Sequence, residues 1–91
     1  MDIIKYEVSI RETAIKKLKS FNSADKIRIF KKIEELGDNP FEKKSVKKLV
    51  EFDISYSLRV GDYRILFERD DSLHIIDVID IRHRKESYRR K

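Results

Sequence analysis

The side chains best suited to bind an anion are concentrated in the second half of the chain. Residues 46–91 hold seven arginines and nine acids, whereas residues 1–45 hold two arginines and nine lysines. A guanidinium group is a planar fork that matches phosphate and stacks on bases, whereas a lysine ammonium is a hydrated point charge. Phosphate binding is therefore expected in the second half. The alternative is that these arginines only pair with the acids around them.

Two of these arginines are predicted to lie side by side. Alternating apolar and polar residues flank Gly61-Asp62, which indicates two strands joined by a tight turn with Gly61 at its first central position. This register sets Arg59 opposite Arg64 on the sheet face that points away from the core, where two guanidinium groups repel unless an anion lies between them. The pair is a candidate anion site, provided that no bulge breaks the hairpin. The alternative is neutralisation by a nearby acid, namely Glu68, Asp77 or Asp80.

A basic segment, residues 82–91, is predicted to follow the last strand as a tail whose first residues lie near the sheet. Tyr88 lies among its cations, and aromatic rings between positive charges suit single-stranded RNA. His83 has a side chain that can exchange protons near neutral pH. The alternative is a solvated terminal charge run with an ordinary surface histidine. The candidate nucleic-acid contacts of this segment are Arg82, His83, Arg84, Tyr88, Arg89 and Arg90.

The first half of the chain predicts a strand and a helical hairpin. Residues 4–9 alternate in polarity, and Ser9 with Glu12 forms a capping-box pattern that places a helix start at Ser9. Ser23 is predicted to cap a second helix, which Gly37 ends. The apolar stripes of the two helices are more consistent with core than with a binding groove. They comprise Ala14, Leu18 and Phe21 in the first helix, and Ile29, Phe30, Ile33 and Leu36 in the second.

The second half of the chain predicts a sheet. Residues 41–48 are polar and include Lys47 and Lys48, and a short strand is predicted at Leu49, Val50 and Phe52. The hairpin strands follow, then a turn at residues 70–72 and a long apolar strand from Leu73 to Ile81. The predicted fold class is α+β: an N-terminal strand, a helical hairpin, then a three- to four-stranded, mostly antiparallel sheet with a short basic C-terminal tail. Residues 1–91 are expected to form a single domain.

Composition excludes several classes of protein. The 91 residues carry a net charge of +5 and include no cysteine and two histidines, so disulfides, thiol catalysis and thiolate metal sites are ruled out. No metal site and no cofactor are expected. An apolar run long enough to span a membrane is lacking, so the expectation is a cytoplasmic protein without a membrane partner. The basic balance favours an anionic partner.

Two segments resemble a known family. LRVGDYRILF at residues 58–67 and IRHRKESY at residues 81–88, together with the helical hairpin and Leu49 before the sheet, resemble the RelE/ParE toxin superfamily. Within it, the messenger-RNA-cleaving RelE-type toxins are the most similar branch. The resemblance covers nearly the whole chain and implies a RelE-like fold. The gyrase-poisoning ParE-type toxins share the hairpin, so a ParE-like toxin without nuclease activity is the alternative, and a plain nucleic-acid-binding module is a third reading.

The resemblance implies a ribosome-dependent endoribonuclease that cuts messenger RNA in the decoding site without a metal, as the toxin of a type II toxin–antitoxin system. Its implied partners are the ribosome, messenger RNA and a cognate antitoxin, with oligomers formed only through the antitoxin complex. Arg64 matches the family's hairpin arginine at the scissile phosphate, Arg84 the arginine of the closing motif, and Tyr88 its tyrosine. The further RNA contacts implied are Arg59, Lys47, Lys48, Arg82, His83, Arg89 and Arg90.

One departure from the family concerns the proton acceptor. RelE-type enzymes often carry lysine on the strand before the hairpin, whereas this chain has Ser55 and Ser57 there. A serine hydroxyl is a poor base at neutral pH. The sequence leaves four candidates for this role, which are Lys47, Lys48, Glu51 and His83.

Overall fold

The computed structural model describes residues 5–41, 46–48 and 56–83. Its elements follow the predicted order of strand, two helices and then strands. They are β1 (Glu7–Ile10), α1 (Glu12–Ser20), α2 (Ser23–Asp38), β2 (Val46–Lys48), β3 (Tyr56–Val60), β4 (Tyr63–Asp70) and β5 (Ile75–His83). No helix among the described residues is long and apolar enough to cross a membrane.

The strands form one sheet in the order β1-β5-β4-β3-β2. β1 runs parallel to β5, and the remaining three pairings are antiparallel. Both helices contribute to a core on one face of this sheet, so the predicted α+β fold class is confirmed. The buried core residues are Tyr6, Ala14, Leu18, Ile29, Ile33, Leu36, Leu58, Val60, Ile65, Phe67, Ile76, Val78 and Ile81.

The two predicted helix caps are wrong, by two residues for α1 and by one residue for α2. Ser9 belongs to β1, where its hydroxyl donates to the Asp77 carboxylate at 3.3 Å. α1 therefore begins at Glu12, and its N-cap, Arg11, makes no side-chain cap. Asn22 caps α2 by accepting a hydrogen bond from the Asp25 backbone at 2.8 Å. The parallel pairing of β1 with β5, which lies far away in sequence, displaces the local capping pattern.

The sequence predicted that Gly37 ends the second helix, but Gly37 lies inside the last turn of α2. Its carbonyl accepts a hydrogen bond from the Tyr6 backbone N–H at 2.9 Å, which ties the end of α2 to the start of β1. A Cβ atom at this position would lie 3.0 Å from Val8 Cγ2 and 3.1 Å from the Tyr6 carbonyl oxygen. A side chain at position 37 would therefore be tight, because both neighbours would have to give by a few tenths of an ångström to admit it.

Strand limits in the second half also differ from the prediction. Val46–Lys48 is a strand paired with β3, although the sequence around it reads as a polar connection. The predicted strand at Leu49, Val50 and Phe52 lies outside the described residues. The last strand covers Ile75–His83 rather than residues 73–81, because the Asp70 carboxylate accepts hydrogen bonds from the backbone of Ser72 and Leu73 and holds them in the turn.

This shift of β5 matters for the site. Arg82 and His83, which were assigned to the tail, are residues of a paired strand. One core prediction in the first half also fails, because the Phe30 side chain on α2 is 47% exposed. The rest of its stripe is buried.

Candidate nucleic-acid interface

The hairpin has the register that the sequence predicts. Val60 lies opposite Tyr63, and Arg59 lies opposite Arg64. Gly61 has a φ of +59°, and Asp62 has no positive φ, which is the pattern of a type II′ turn with glycine at its first central position. No bulge interrupts this strand pair, so the argument for adjacent guanidinium groups stands on observed geometry.

A third arginine extends this pair into a row. Arg82 on β5 lies opposite Arg64 on β4, so the residues at this level of three neighbouring strands are Arg59, Arg64 and Arg82. We call these three residues the arginine row. All three side chains are exposed. Neighbouring strands lie about 4.7–4.9 Å apart, which gives the row a backbone width of roughly 9.5 Å. Sequence reasoning missed the row because it placed Arg82 beyond the last strand.

Two of the three acids that the alternative named, Asp77 and Asp80, form ion pairs with other cations. Asp77 binds Arg11 at 2.9 Å, and Asp80 binds Lys17 at 3.0 Å. Asp80 also reaches Nε of Arg82 at 3.5 Å. Within the part of the chain that the structure describes, neither Arg59 nor Arg64 forms an ion pair with an acid. Among the described residues, the middle and one end of the row therefore have no acidic counter-ion.

The next level of the same face is less exposed. Ser57 lies opposite Leu66, and both residues are buried, with 4% and 7% of their surface exposed, although they lie outside the main core cluster. The backbone of Lys47 lies opposite Ser57, whereas that of Lys48 lies opposite Tyr56. Of these two candidate bases, Lys47 thus has the register position at the level next to the arginine row.

His83 lies at a different level from the arginines. It is opposite Tyr63, and the two rings meet edge to face with their centroids 4.9 Å apart. The Tyr63 hydroxyl donates to the Asp25 carboxylate at 2.9 Å, and its ring lies 4.7 Å from that of Phe21, so this level faces the helices. Burial first, and then the hydrogen bond with Asp25, raise the pKa of Tyr63. Because successive residues of a strand point to opposite faces of the sheet, His83 and Arg64 lie on opposite faces.

Not every arginine of the second half is available for an anion. The Arg69 guanidinium donates to the Asp71 carboxylate at 2.8 Å and to the Pro40 carbonyl at 2.9 Å. It also lies 4.6 Å from the ring centroids of both Phe41 and Tyr56. Arg69 therefore stabilises the chain just after α2 against the sheet, which is the structural role that the sequence left open as the alternative.

Four predicted site residues of the C-terminal segment lie outside the described residues, namely Arg84, Tyr88, Arg89 and Arg90, as do Glu51 and Ser55. Their roles stay predictions. No group of three or more potential metal-ligating His, Cys, Asp or Glu side chains occurs within residues 5–41, 46–48 and 56–83.

Among the described residues, a helical hairpin packs on one face of a five-stranded sheet, and the arginine row lies on the other face. The profile of the family described as "ParE toxin of type II toxin-antitoxin system, parDE" matches residues 8–88. The chain belongs to this family, which is part of the RelE/ParE superfamily, and it is the toxin of a type II toxin–antitoxin system. The superfamily resemblance seen in the sequence is thereby confirmed. No curated protein sequence matches the chain.

Solved structures of RelE toxins share the fold. The archaeal RelE of the RelE–RelB complex from Pyrococcus horikoshii OT3 is 26% identical, with a TM-score of 0.78 over 88% of this chain and 96% of that one. The RelB–RelE antitoxin–toxin complex from Methanococcus jannaschii matches at 28% identity and a TM-score of 0.69 over 87% and 93%. The RelBE2 toxin–antitoxin complex from Mycobacterium tuberculosis matches in fold, at 24% identity and a TM-score of 0.79 over 91% and 95%.

Proposed function

We propose that this toxin is a ribosome-dependent, metal-independent endoribonuclease that cleaves messenger RNA in the decoding site and so stops translation in the cytoplasm. The observation that carries the proposal is the arginine row. Three guanidinium groups stand at one level of the exposed sheet face, and two of them have no acid partner among the described residues. Such a row is unfavourable without an anion and favourable with a polyanion lying across it.

Arg64 has the central place in this proposal. Cleavage of RNA through its own 2′-hydroxyl requires in-line placement of that hydroxyl, neutralisation of the phosphate charge and proton transfer. Arg64, flanked by an arginine on each side, meets the second requirement at the scissile phosphate in the manner of an anion hole. In the same proposal, Arg84 stabilises the leaving oxygen and Tyr88 stacks on a base. The surrounding RNA contacts are Arg59, Lys47, Lys48, Arg82, Arg89 and Arg90, whereas His83, which the sequence had included, lies at the level that faces the helices.

The scarcity of suitable acid–base groups among the described side chains of this face supports dependence on the ribosome. Ser57 occupies a position where relatives often carry lysine, it is buried, and it is a poor base at neutral pH. His83 lies at the level that faces the helices. A site rich in arginine but poor in bases gains most from a partner that holds the RNA in a reactive geometry, because proximity replaces strong acid–base catalysis.

A ParE-like toxin that acts on DNA gyrase without nuclease activity is the second candidate function. The observation that favours it is the family match, because the matching profile is that of ParE toxins. The hairpin register and the fold are compatible with either function. Of the two functions, the arginine row favours the nuclease because it suits a polyanionic strand. The proposed site roles of Arg84 and Tyr88 belong to the nuclease alone.

Primer extension on ribosome-bound messenger RNA tests the nuclease proposal. We expect cuts within codons when the purified toxin and programmed ribosomes are combined. The same messenger without ribosomes should stay intact, because the toxin alone does not hold the RNA in line. A parallel reaction measures gyrase-linked breaks in supercoiled DNA. Intact ribosome-bound messenger together with gyrase-linked breaks would reject the nuclease and establish the ParE-like function.

The antitoxin is proposed to bind chiefly through apolar contacts. A disordered partner that folds on binding can lay an apolar helix on the toxin and bring acids near the arginines. Large apolar side chains are exposed on both helices of the toxin, and those available to such a partner are Ile15, Ile27 and Phe30.

Apolar burial predicts that the antitoxin complex survives high salt. We expect the dissociation constant of the cognate antitoxin to change little up to about 0.5 M salt, because exposed charge pairs are screened at that ionic strength and apolar contacts are not. Isothermal titration at several salt concentrations measures it. A short RNA oligonucleotide provides the internal contrast, because its binding should weaken steeply over the same range. Loss of antitoxin binding at about 0.5 M salt would show that the interface is mainly electrostatic.

A further inference from the structure

The strand that carries Arg82 changes its facing partway along. Ile76 and Val78 are fully buried in the core, two residues apart as an ordinary strand requires. The next core residue is Ile81, three residues further on. The pairing with β4 shows the cause, since Leu66 lies opposite Asp80 while Phe67 lies opposite Val78. Ile79 is therefore the extra residue of a β-bulge.

This bulge decides where Arg82 points. Without it, the alternation that buries Ile76 and Val78 would continue through positions 80 and 82, and Arg82 would face the core. With it, Ile81 is buried and Arg82 is exposed opposite Arg64. Bulges occur next to functional sites because they redirect a side chain. The third member of the arginine row exists only because of this irregularity.

Asp80 stabilises the bulge from within. Its Oδ1 accepts a hydrogen bond from the Ile81 backbone N–H at 2.8 Å and binds Nζ of Lys17 on α1 at 3.0 Å. Its Oδ2 lies 3.5 Å from Nε of Arg82. The side chain of Asp80 is only 16% exposed. One carboxylate thus connects the bulged backbone, the helix layer and the third arginine, and Lys17 balances its charge.

We propose that Asp80 is a positioning residue of the RNA site: it holds the bulge so that Arg82 contacts the phosphate next to the one at Arg64. This proposal rests on the proposed RNA-binding function. A row roughly 9.5 Å wide at the backbone is wider than a single phosphate group, so it can engage two successive phosphates of a strand that runs across β3, β4 and β5.

The direction in which RNA affinity changes when Asp80 is removed distinguishes a positioning role from a purely electrostatic one. Asp80 is a negative charge beside a site for a polyanion, so its removal should strengthen RNA binding if the charge alone matters. If Asp80 positions Arg82, its removal should weaken binding, because the loss of a phosphate contact outweighs the relief of repulsion.

The test measures the affinity of the full-length chain for a short, fluorescently labelled 2′-O-methyl RNA, which lacks the free hydroxyl needed for cleavage, over a series of salt concentrations. We expect Arg82→Ala to weaken binding about tenfold at low salt and to reduce the slope of log K against log salt by about 0.7, the value for one phosphate on a single strand. Asp80→Ala should give the same two changes. The double variant should be no weaker than Arg82→Ala, because both substitutions remove one contact.

Asp77→Ala is the matched control. It removes the same charge from the same strand, but Asp77 binds Arg11 and Ser9 rather than the arginine row, so the slope should stay at the wild-type value. Asp80→Asn serves as a second variant that keeps the oxygen for the Ile81 N–H, and it should retain more affinity than Asp80→Ala. Tighter binding by both Asp80 variants with an unchanged slope would overturn the positioning role. Equally weak binding by the wild-type and Arg64→Ala chains would instead contradict the proposed RNA site itself.

Discussion

Replacing Arg64 with alanine should leave the chain folded while it lowers the rate of messenger-RNA cleavage by about 10²–10³-fold, the usual effect of losing one preorganised contact to a developing negative charge. Arg64 is exposed, lies in the middle of the arginine row and forms no ion pair among the described residues, so its removal exposes no buried partner. The growth of cells after induction reports toxicity, primer extension reports cleavage, and thermal melts report folding. Antitoxin binding should be retained.

Two variants make this result specific. Arg28→Ala removes an exposed arginine whose guanidinium lies beside the same turn, 3.0 Å from where a Gly61 Cβ would be, but on the helix side. It should stay close to wild-type toxicity. Ser57→Ala should also have little effect, because this buried serine does not replace the lysine of related enzymes. An Arg64→Ala chain that remains fully toxic would refute the assignment of Arg64 and favour the ParE-like function.

The hairpin could be predicted because its information is local. Gly61 takes the positive φ that a type II′ turn demands, and the alternation on each side then fixes every partner down to Arg59 and Arg64. The α+β class followed in the same way from two amphipathic helices and alternating strands. Both conclusions depend on residues within a few positions of one another.

Features that depend on distant parts of the chain were missed. The bulge at Ile79 exists only in the pairing of β5 with β4, and the sequence prediction ended the last strand at Ile81, so Arg82 was assigned to the tail instead of to a paired strand. The cap at Ser9 failed for a related reason, since β1 extends through Ser9 by pairing with β5. The positions of side chains in the site thus depended on sheet register, which the alternation within a single segment does not specify.

The largest expected effect on stability comes from a substitution in the core. Leu58 is 3% exposed, lies opposite Ile65 and belongs to the cluster that joins the helices to the sheet. Replacement by aspartate removes a buried apolar side chain, which costs about 2–5 kcal/mol for leucine-to-alanine changes, and it also buries a charge. Lys32 borders the hollow that Leu58 lines, but its ammonium is paired with Glu35 at 3.5 Å.

The expected result of Leu58→Asp is therefore loss of cooperative folding, because a domain of this size is stable by only about 5–15 kcal/mol. Leu73→Asp is the matched control: the same substitution is made in the β4–β5 turn, where Leu73 is 67% exposed, and it should melt close to the wild type. Circular dichroism and thermal melts of both variants measure the difference. A Leu58→Asp chain that melts cooperatively near the wild-type temperature would mean that the helices do not pack on the face carrying Leu58. The arginine row would then lose its place on the opposite, exposed face, and the RNA site proposed there would lose its structural basis.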